Sequence, residues 1–341
     1  MKENITGPDH KAQAPRGIIA ICLAPERIPP GAVERLRAAG GRDVLALGDR
    51  TELQRFAGRV EIGVGDVPFD LIPEMPLLKW VQLWSAGADS IQRYPQLKDH
   101  PFLLTTTSGM HGPQIAEHVF GLLLAWNRRL PEAFAHQALG QWKPVRPQML
   151  SCLDGASMLI LGYGSIGRRL ARAALGFGMS VTGIRRGAKG PSGPPVPREE
   201  EGVRVASASR LPDLLPQADV VVNILPLTAE TRHSFGRAEF AAMKKTALYV
   251  NVGRGPTTDQ EALTRALDDG TIAGALLDVT EPEPLPGDSP LWKSDRLLLT
   301  AHYAGFHPNY NEIALGITLD NLGRYVRGEA LKNLVDKSAG Y

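Results

Sequence analysis

Four residues with the groups that carbonyl chemistry needs stand in the last third of the chain. They are Arg254 in NVGRGP, Asp278 and Glu283 in LDVTEPEPLP, and His302 in LTAHYAG. Each follows a short apolar run, namely 246–252 (TALYVNV), 272–277 (IAGALL) and 297–300 (LLLT), that reads as a buried strand. If those strands lie in one parallel sheet, their carboxyl ends share an edge and the four side chains meet in one crevice. The set suits hydride transfer to or from a carbonyl. A histidine gives or takes the proton on the oxygen near neutral pH. A carboxylate such as Glu283 fixes the imidazole tautomer and favours its charged form. An arginine such as Arg254 anchors a substrate carboxylate and polarises the carbonyl. Singly, an arginine among glycines, a glutamate in EPEP and a histidine in a loop are all commonplace. Only their joint placement is informative.

The element that would position them is the run 156–186, ASMLILGYGSIGRRLARAALGFGMSVTGIRR. Its apolar 158–161 reads as a parallel strand, 168–177 as a helix stopped by Gly178, and 181–184 as a second strand. Gly162, Gly164 and Gly167 sit between the first strand and the helix in G-x-G-x-x-G spacing, the context this pattern requires to signify dinucleotide binding. The first glycine permits a tight turn, the second lets backbone approach a pyrophosphate, and the third lets helix and strand pack closely. The helix N-terminus then offers free N–H groups to phosphate. A glycine-rich turn without a ligand is the plainer alternative. The second strand ends in Arg185 and Arg186, where an NAD site usually carries an acid for the ribose hydroxyls. Two guanidiniums suit a 2′-phosphate, so NADP(H) is favoured over NAD(H), the alternative being two solvated arginines.

The 341 residues suffice for two domains, and 43% hydrophobic with 22% charged residues is ordinary globular composition. A net charge of +2 gives no field for nucleic acid, and no apolar run is long enough for a bilayer. Cys22 and Cys152 alone make neither a disulfide framework nor a cysteine zinc site, which fits a reducing, cytoplasmic compartment. Residues 1–15 lack a signal-peptide core and read as a disordered tail. Strands at 17–24, 44–47, 60–64, 77–83 and 102–106 alternate with helical segments, so an α/β unit precedes the dinucleotide unit. Ser85, Ala86 and Gly87 follow one of these strands, where small residues leave backbone N–H groups to hold an anion, or simply make a turn. The run 114–130 reads as a long buried helix, 131–147 as a loop-like connector containing Trp142, and 187–197 (GAKGPSGPPVP) as a loop.

With these motifs the chain resembles the D-isomer-specific 2-hydroxyacid dehydrogenase family from about 77 to 335. The motifs are SAGAD at 85–89, LGYGSIGRRLA at 161–171, ILPLTAETR at 224–232, NVGRGP at 251–256, LDVTEPEPLP at 277–286 and LTAHYAG at 299–305. The resemblance implies two α/β domains: a flavodoxin-like substrate domain (16–115 and 305–341) and an inserted Rossmann dinucleotide-binding domain (116–304). It implies Arg254, Glu283 and His302 as the catalytic residues. Gly162, Gly164, Ser165, Ile166, Gly167, Arg185, Arg186, Leu225, Pro226, Thr231, Val252, Arg254, Asp278, His302 and Ala304 would then form the cofactor site, with Asp278 on the nicotinamide carboxamide. Ser85, Ala86, Gly87 and Arg254 would bind the substrate carboxylate.

The activity implied is NADPH-dependent reduction of a 2-ketoacid to a D-2-hydroxyacid, or the reverse, by a homodimer. NAD(H) is the second cofactor choice. No metal, membrane or nucleic-acid partner is implied. Family members with a paired arginine at 185–186 often act on glyoxylate or hydroxypyruvate, and the substrate wall is expected around Trp84, His111 and Tyr303. Ala301 departs from the proline that commonly precedes the histidine. Corepressor-like scaffolds that sense dinucleotides share the fold and much of the site. They are the alternative reading, although no long tail for partner docking is evident.

Overall fold

The computed structural model describes residues 17–186, 198–200 and 202–340. The tail at 1–15 and the loop at 187–197 lie outside the described residues. The chain divides into two compact units: the residues up to Thr107 with Asn311–Ser338, and Ser108–Tyr310 with the last residues.

The first unit is built on a sheet of β1 (Ile18–Cys22), β2 (Val44–Ala46), β3 (Val60–Gly65), β4 (Trp80–Gln82) and β5 (Leu103–Thr105). All pairings are parallel and the order is β2-β1-β3-β4-β5, the flavodoxin-like arrangement. Every residue of β1 (IIAIC) and of β3 is buried, as expected where both sheet faces are covered. Helix α1 (Ala32–Gly40) stops where Gly41 turns to φ 58. Helix α2 (Arg50–Phe56) starts on Asp49, whose side chain accepts from the N–H groups of Thr51 and Glu52. The returning chain is stitched in by polar contacts as well as packing. Thr318 accepts from Trp84 Nε1 at 2.9 Å, Asn321 Nδ2 donates to Gln82 Oε1 at 2.9 Å, and Val335 N–H donates to Leu104 O at 2.8 Å.

The second unit carries an eight-stranded sheet: β6 (Ser157–Leu161), β7 (Ser180–Ile184), β8 (Arg198–Glu200), β9 (Val203–Ala206), β10 (Val220–Asn223), β11 (Leu248–Asn251), β12 (Gly274–Leu277) and β13 (Leu297–Leu299). The order is β13-β12-β11-β10-β6-β7-β9-β8, parallel throughout except for β8 against β9. Chain order reverses between β6 and β10, so the crevice at the carboxyl ends of these two strands is the switch point of a Rossmann sheet. Helices α3 (Gly112–Asn127) and α5 (Ser165–Gly176) contribute Val119, Leu123 and Leu170 to the core on one face. On the other face α7 (Arg237–Ala242) and α8 (Gln260–Asp268) close over a ring cluster of Phe235, Phe240 and Tyr249, with α6 (Leu211–Leu214) nearby in the same core. No helix among the described residues is long and apolar enough to cross a membrane.

The expected strands form, some shorter than read: 77–83 contracts to β4 and 102–106 to β5. One stretch differs in kind. The connector read as loop-like at 131–147 begins as helix α4 (Leu130–Ala138). Pro131 sits in the first turn of this helix, where its missing N–H is not needed, and EAFAHQA beyond it favours a helix. The first unit also buries a carboxylate, that of Glu61, only 6% exposed. Its carboxylate accepts from Arg42 Nη2 at 3.1 Å, Tyr325 OH at 3.0 Å and Gly17 N at 3.0 Å. Burial by itself disfavours its charge, yet Arg42 and the other donors hold its pKa below the usual carboxylate range. Glu61→Ala would strand the buried guanidinium and should cost about 3 kcal/mol in chemical denaturation at neutral pH. Because the folded pKa is lowered, this stabilisation is present above the ordinary carboxylate pKa, and the gap between wild type and variant should narrow as the pH falls through the lowered value.

Candidate active site

At the end of β6 the three glycines divide the labour as their spacing suggests. Gly162 takes φ 103, left-handed backbone that favours glycine, and a Cβ there would press within 3.0 Å of Ile224 O. A Cβ on Gly167 would lie 2.7 Å from Gly162 O, so close helix–strand packing demands glycine. Around Gly164 there is open space, with nothing within 4 Å of the point a Cβ would occupy. Gly164 is the N-cap of α5, its cap lacks a side-chain bond, and Ser165 beside it is exposed while Ile166 is half-buried. This cradle admits a diphosphate to the free N–H groups of the first turn. Arg185 and Arg186 extend past β7, both exposed, and Arg186 Nη2 pairs with Glu230 Oε1 at 3.0 Å. Beyond β10 the loop is stapled to itself, Thr231 Oγ1 donating to Pro226 O at 2.6 Å and Leu225 N to Asn223 Oδ1 at 3.0 Å. These residues fit a nicotinamide dinucleotide in shape and donor set.

The loop after β11 holds Arg254. Val252 is buried; Asn251 ties the turn together by accepting from Gly253 N and donating to Arg254 O. A Cβ on Gly255 would sit 1.9 Å from Thr280 O, so the Arg254 loop and the 278–283 loop touch backbone to backbone. Glu283 accepts from Thr280 N at 3.0 Å through one oxygen, and its other oxygen is 2.7 Å from His302 Nδ1. With Nδ1–H given to Glu283, the free nitrogen of His302 is Nε2. His302 itself stands at φ 54, a conformation costly for a residue with a side chain and held only where its surroundings require it.

Asp278 supplies that requirement. It is 2% exposed, and its backbone carbonyl accepts from His302 N at 2.8 Å. Its carboxylate accepts from Tyr303 N at 3.1 Å, Ala304 N at 2.9 Å and Thr300 Oγ1 at 2.6 Å. Arg254, Asp278, Glu283 and His302 thus all stand on loops at the carboxyl edge of the same sheet. The loop Ser85–Gly87 belongs to the other unit, where Ser85 Oγ donates to Gly87 O at 2.7 Å and Ser85 O accepts from Thr107 N at 3.0 Å.

Of the residues expected around the substrate, Trp84 is buried in the first unit with its ring N–H committed to Thr318. Tyr303 is exposed, its ring edge-on to His118 at 5.3 Å. His111, 5% exposed, shares a hydrogen bond of 3.1 Å with Tyr310 OH through Nε2, while Nδ1 has no partner among the described residues. Nothing in QIAEHVFG tells which way a helical histidine such as His118 turns. It reaches Thr300 Oγ1 at 2.9 Å.

The family model for "D-isomer specific 2-hydroxyacid dehydrogenase, NAD binding domain" matches residues 120–304. A glyoxylate reductase of Korarchaeum cryptofilum is 36% identical over 268 residues, 77% of each chain. A crystal structure of a D-isomer specific 2-hydroxyacid dehydrogenase family protein from Aeromonas salmonicida superposes with a TM-score of 0.80 at 31% identity, covering 94% of this chain and 99% of that one. The NADPH-dependent glyoxylate/hydroxypyruvate reductase SmGhrA of Sinorhizobium meliloti, solved with NADP and sulfate, gives 0.78 at 27% identity, covering 95% and 100%. The chain belongs to the D-isomer-specific 2-hydroxyacid dehydrogenase family, whose members are NAD(P)-dependent oxidoreductases.

Burial, with the nearby Arg254 charge adding to it, lowers the His111 pKa from the ordinary 6.5 to about 4, so the ring is neutral in the fold. The unfolded chain binds that proton more readily, hence stability is full above pH 6.5 and is lost as the pH falls towards 4. His111→Phe should remove this part of the acid sensitivity, up to about 1.4 kcal/mol per pH unit. Melting temperatures of both proteins at pH 7 and pH 5 measure it, and parallel losses in the two would contradict it.

Proposed function

We propose that this protein is an NADPH-dependent reductase of small 2-ketoacids, with glyoxylate and hydroxypyruvate as first candidates and the D-2-hydroxyacid as product. The observation that carries the reading is the Glu283–His302 pair at 2.7 Å, which leaves Nε2 free at the same sheet edge as Arg254. What bound NADPH contributes is the hydride. His302 holds a proton at Nε2 and gives it to the carbonyl oxygen as negative charge gathers there; in the reverse direction it takes that proton from the hydroxyl. Glu283 keeps Nδ1 protonated and stabilises the imidazolium. Arg254 binds the substrate carboxylate by its fork. The first unit is the substrate domain on this reading, and the family resemblance gives its Ser85, Ala86 and Gly87 a substrate-binding role.

Gly162, Gly164, Ser165, Ile166 and Gly167 receive the pyrophosphate, Leu225, Pro226, Thr231, Val252 and Ala304 line the nucleoside, and Asp278 orients the carboxamide. Arg185 and Arg186 receive the 2′-phosphate, and the NADP bound by the Sinorhizobium reductase supports the same cofactor preference here. A dinucleotide-sensing scaffold would bind the same cofactor without turnover.

Initial rates with NADPH and NADH against glyoxylate, hydroxypyruvate, pyruvate and aromatic 2-ketoacids test this directly. Turnover is expected with NADPH well above NADH. Arg254→Ala should cut kcat/KM about a hundredfold or more while leaving NADPH affinity within about twofold. Dinucleotide binding without turnover of any 2-ketoacid would favour the scaffold.

A homodimer completes the proposal. Helix α4 buries none of its residues, and Phe134, Leu139, Trp142 and Met149 along this arm are exposed, Trp142 at 96%. Such an apolar run is poorly suited to water, and a second copy is the commonest cover. Light scattering should give twice the chain mass, and Phe134→Ser with Trp142→Ser should give monomers. A wild-type monomer at micromolar concentration would refute the dimer.

A further inference from the structure

Among the described residues the carboxylate of Asp278 is 2% exposed, and hydroxyl and amide donors meet it rather than a formal cation. A buried carboxylate so placed keeps its position only while every donor stays in line. Two of the donors are the amides of Tyr303 and Ala304, which are the loop itself. The third is Thr300 Oγ1, whose hydroxyl proton goes to Asp278 Oδ1 at 2.6 Å, much nearer than Leu277 O at 3.3 Å. Its lone pair therefore faces His118 Nε2 at 2.9 Å as an acceptor, which makes Nε2–H the donor.

His118 stands on α3, 182 positions away in sequence, and is half-buried. Its Nε2 lies 3.7 Å from Asp278 Oδ1, too far for a direct hydrogen bond. Burial lowers the His118 pKa while Asp278 acts in the opposite sense, consistent with a neutral ring that offers an N–H rather than a charge. The edge-on Tyr303 ring at 5.3 Å fixes the plane of the imidazole from the side of the loop.

We infer that His118 is a positioning residue: through Thr300 it fixes the Asp278 carboxylate, and through Asp278 it sets the backbone that aims His302. The inference rests on the reductase reading for its kinetic consequence. A carboxylate offers about four acceptor positions. Oδ1 uses two, for Thr300 and Tyr303, and Oδ2 uses one, for Ala304. One position on Oδ2 remains for the carboxamide of a bound nicotinamide. The same carboxylate then references both the hydride donor and the proton donor, and His118 references the carboxylate to α3.

The test compares His118→Phe, which keeps a ring beside Tyr303 but has no N–H, with His118→Gln, whose amide can still donate to Thr300, and with Thr300→Val. Two readouts are taken on the full chain. In steady-state reduction of glyoxylate, His118→Phe and Thr300→Val should each lower kcat about tenfold with KM and NADPH affinity little changed. His118→Gln should stay within about threefold of wild type, and the double variant His118→Phe/Thr300→Val should be no worse than either single one. In hydrogen–deuterium exchange without cofactor, the peptide covering 300–305 should exchange about tenfold faster in His118→Phe and Thr300→Val, but not in His118→Gln.

The inference is overturned if His118→Phe matches wild type in both readouts, if Phe and Gln variants are equally impaired, or if the two single losses multiply. Should His118→Phe not fold, Thr300→Val with wild-type kcat and exchange overturns it alone. An inactive wild type would instead count against the reductase reading, and the exchange data would still decide the role of His118.

Discussion

A carboxyl group with almost no access to water organises this half of the molecule. Asp278 is tolerated at 2% exposure only if neighbouring N–H and O–H groups replace its hydration, and the nearest supply is the chain that follows β13. That chain must fold back over the carboxylate to satisfy it. The turn so made puts His302 in left-handed backbone, at φ 54, and delivers its ring to Glu283. The Glu283–His302 contact is thus a by-product of solvating a buried carboxylate with protein.

The Rossmann unit was open to reading because its signals are local. Apolar runs that end in G-x-G-x-x-G, in NVGRG and in TAH mark strand ends directly, and parallel order then forces those ends to one edge. The flavodoxin-like order of the first sheet was carried by resemblance rather than by pattern, since strands of three residues such as β2, β4 and β5 carry too little periodicity to fix their neighbours. Helix α4 escaped because proline is read as a breaker unless its place in the first turn is known.

What no pattern could reveal is the direction of individual side chains. Asp278 stood out as a strand-tip acid, but its grip on residues 303 and 304 depends on a turn formed across 26 positions of sequence. His118 is one letter on a helix until α3 is docked. Trp84 is expected in the substrate wall, and nothing in its neighbours along the chain foretells that its ring N–H is committed to Thr318, 234 positions on. Long-range hydrogen bonds of this sort depend on tertiary closure, which spacing along the chain does not encode.

The missing space at Gly255 has a further meaning. Because even one methyl group would collide with Thr280 O, the segment bearing Arg254 and the segment bearing Glu283 form a single rigid jaw. Neither can drift without dragging the other, and with it Arg254 and the carboxylate that meets His302; on the proposed reading these are the substrate anchor and the partner of the proton donor. Variation in what the enzyme accepts must therefore enter from residues outside the jaw. Chemistry and selectivity become separately inheritable traits: one is frozen by a contact between two backbones, while the other is left free to diverge.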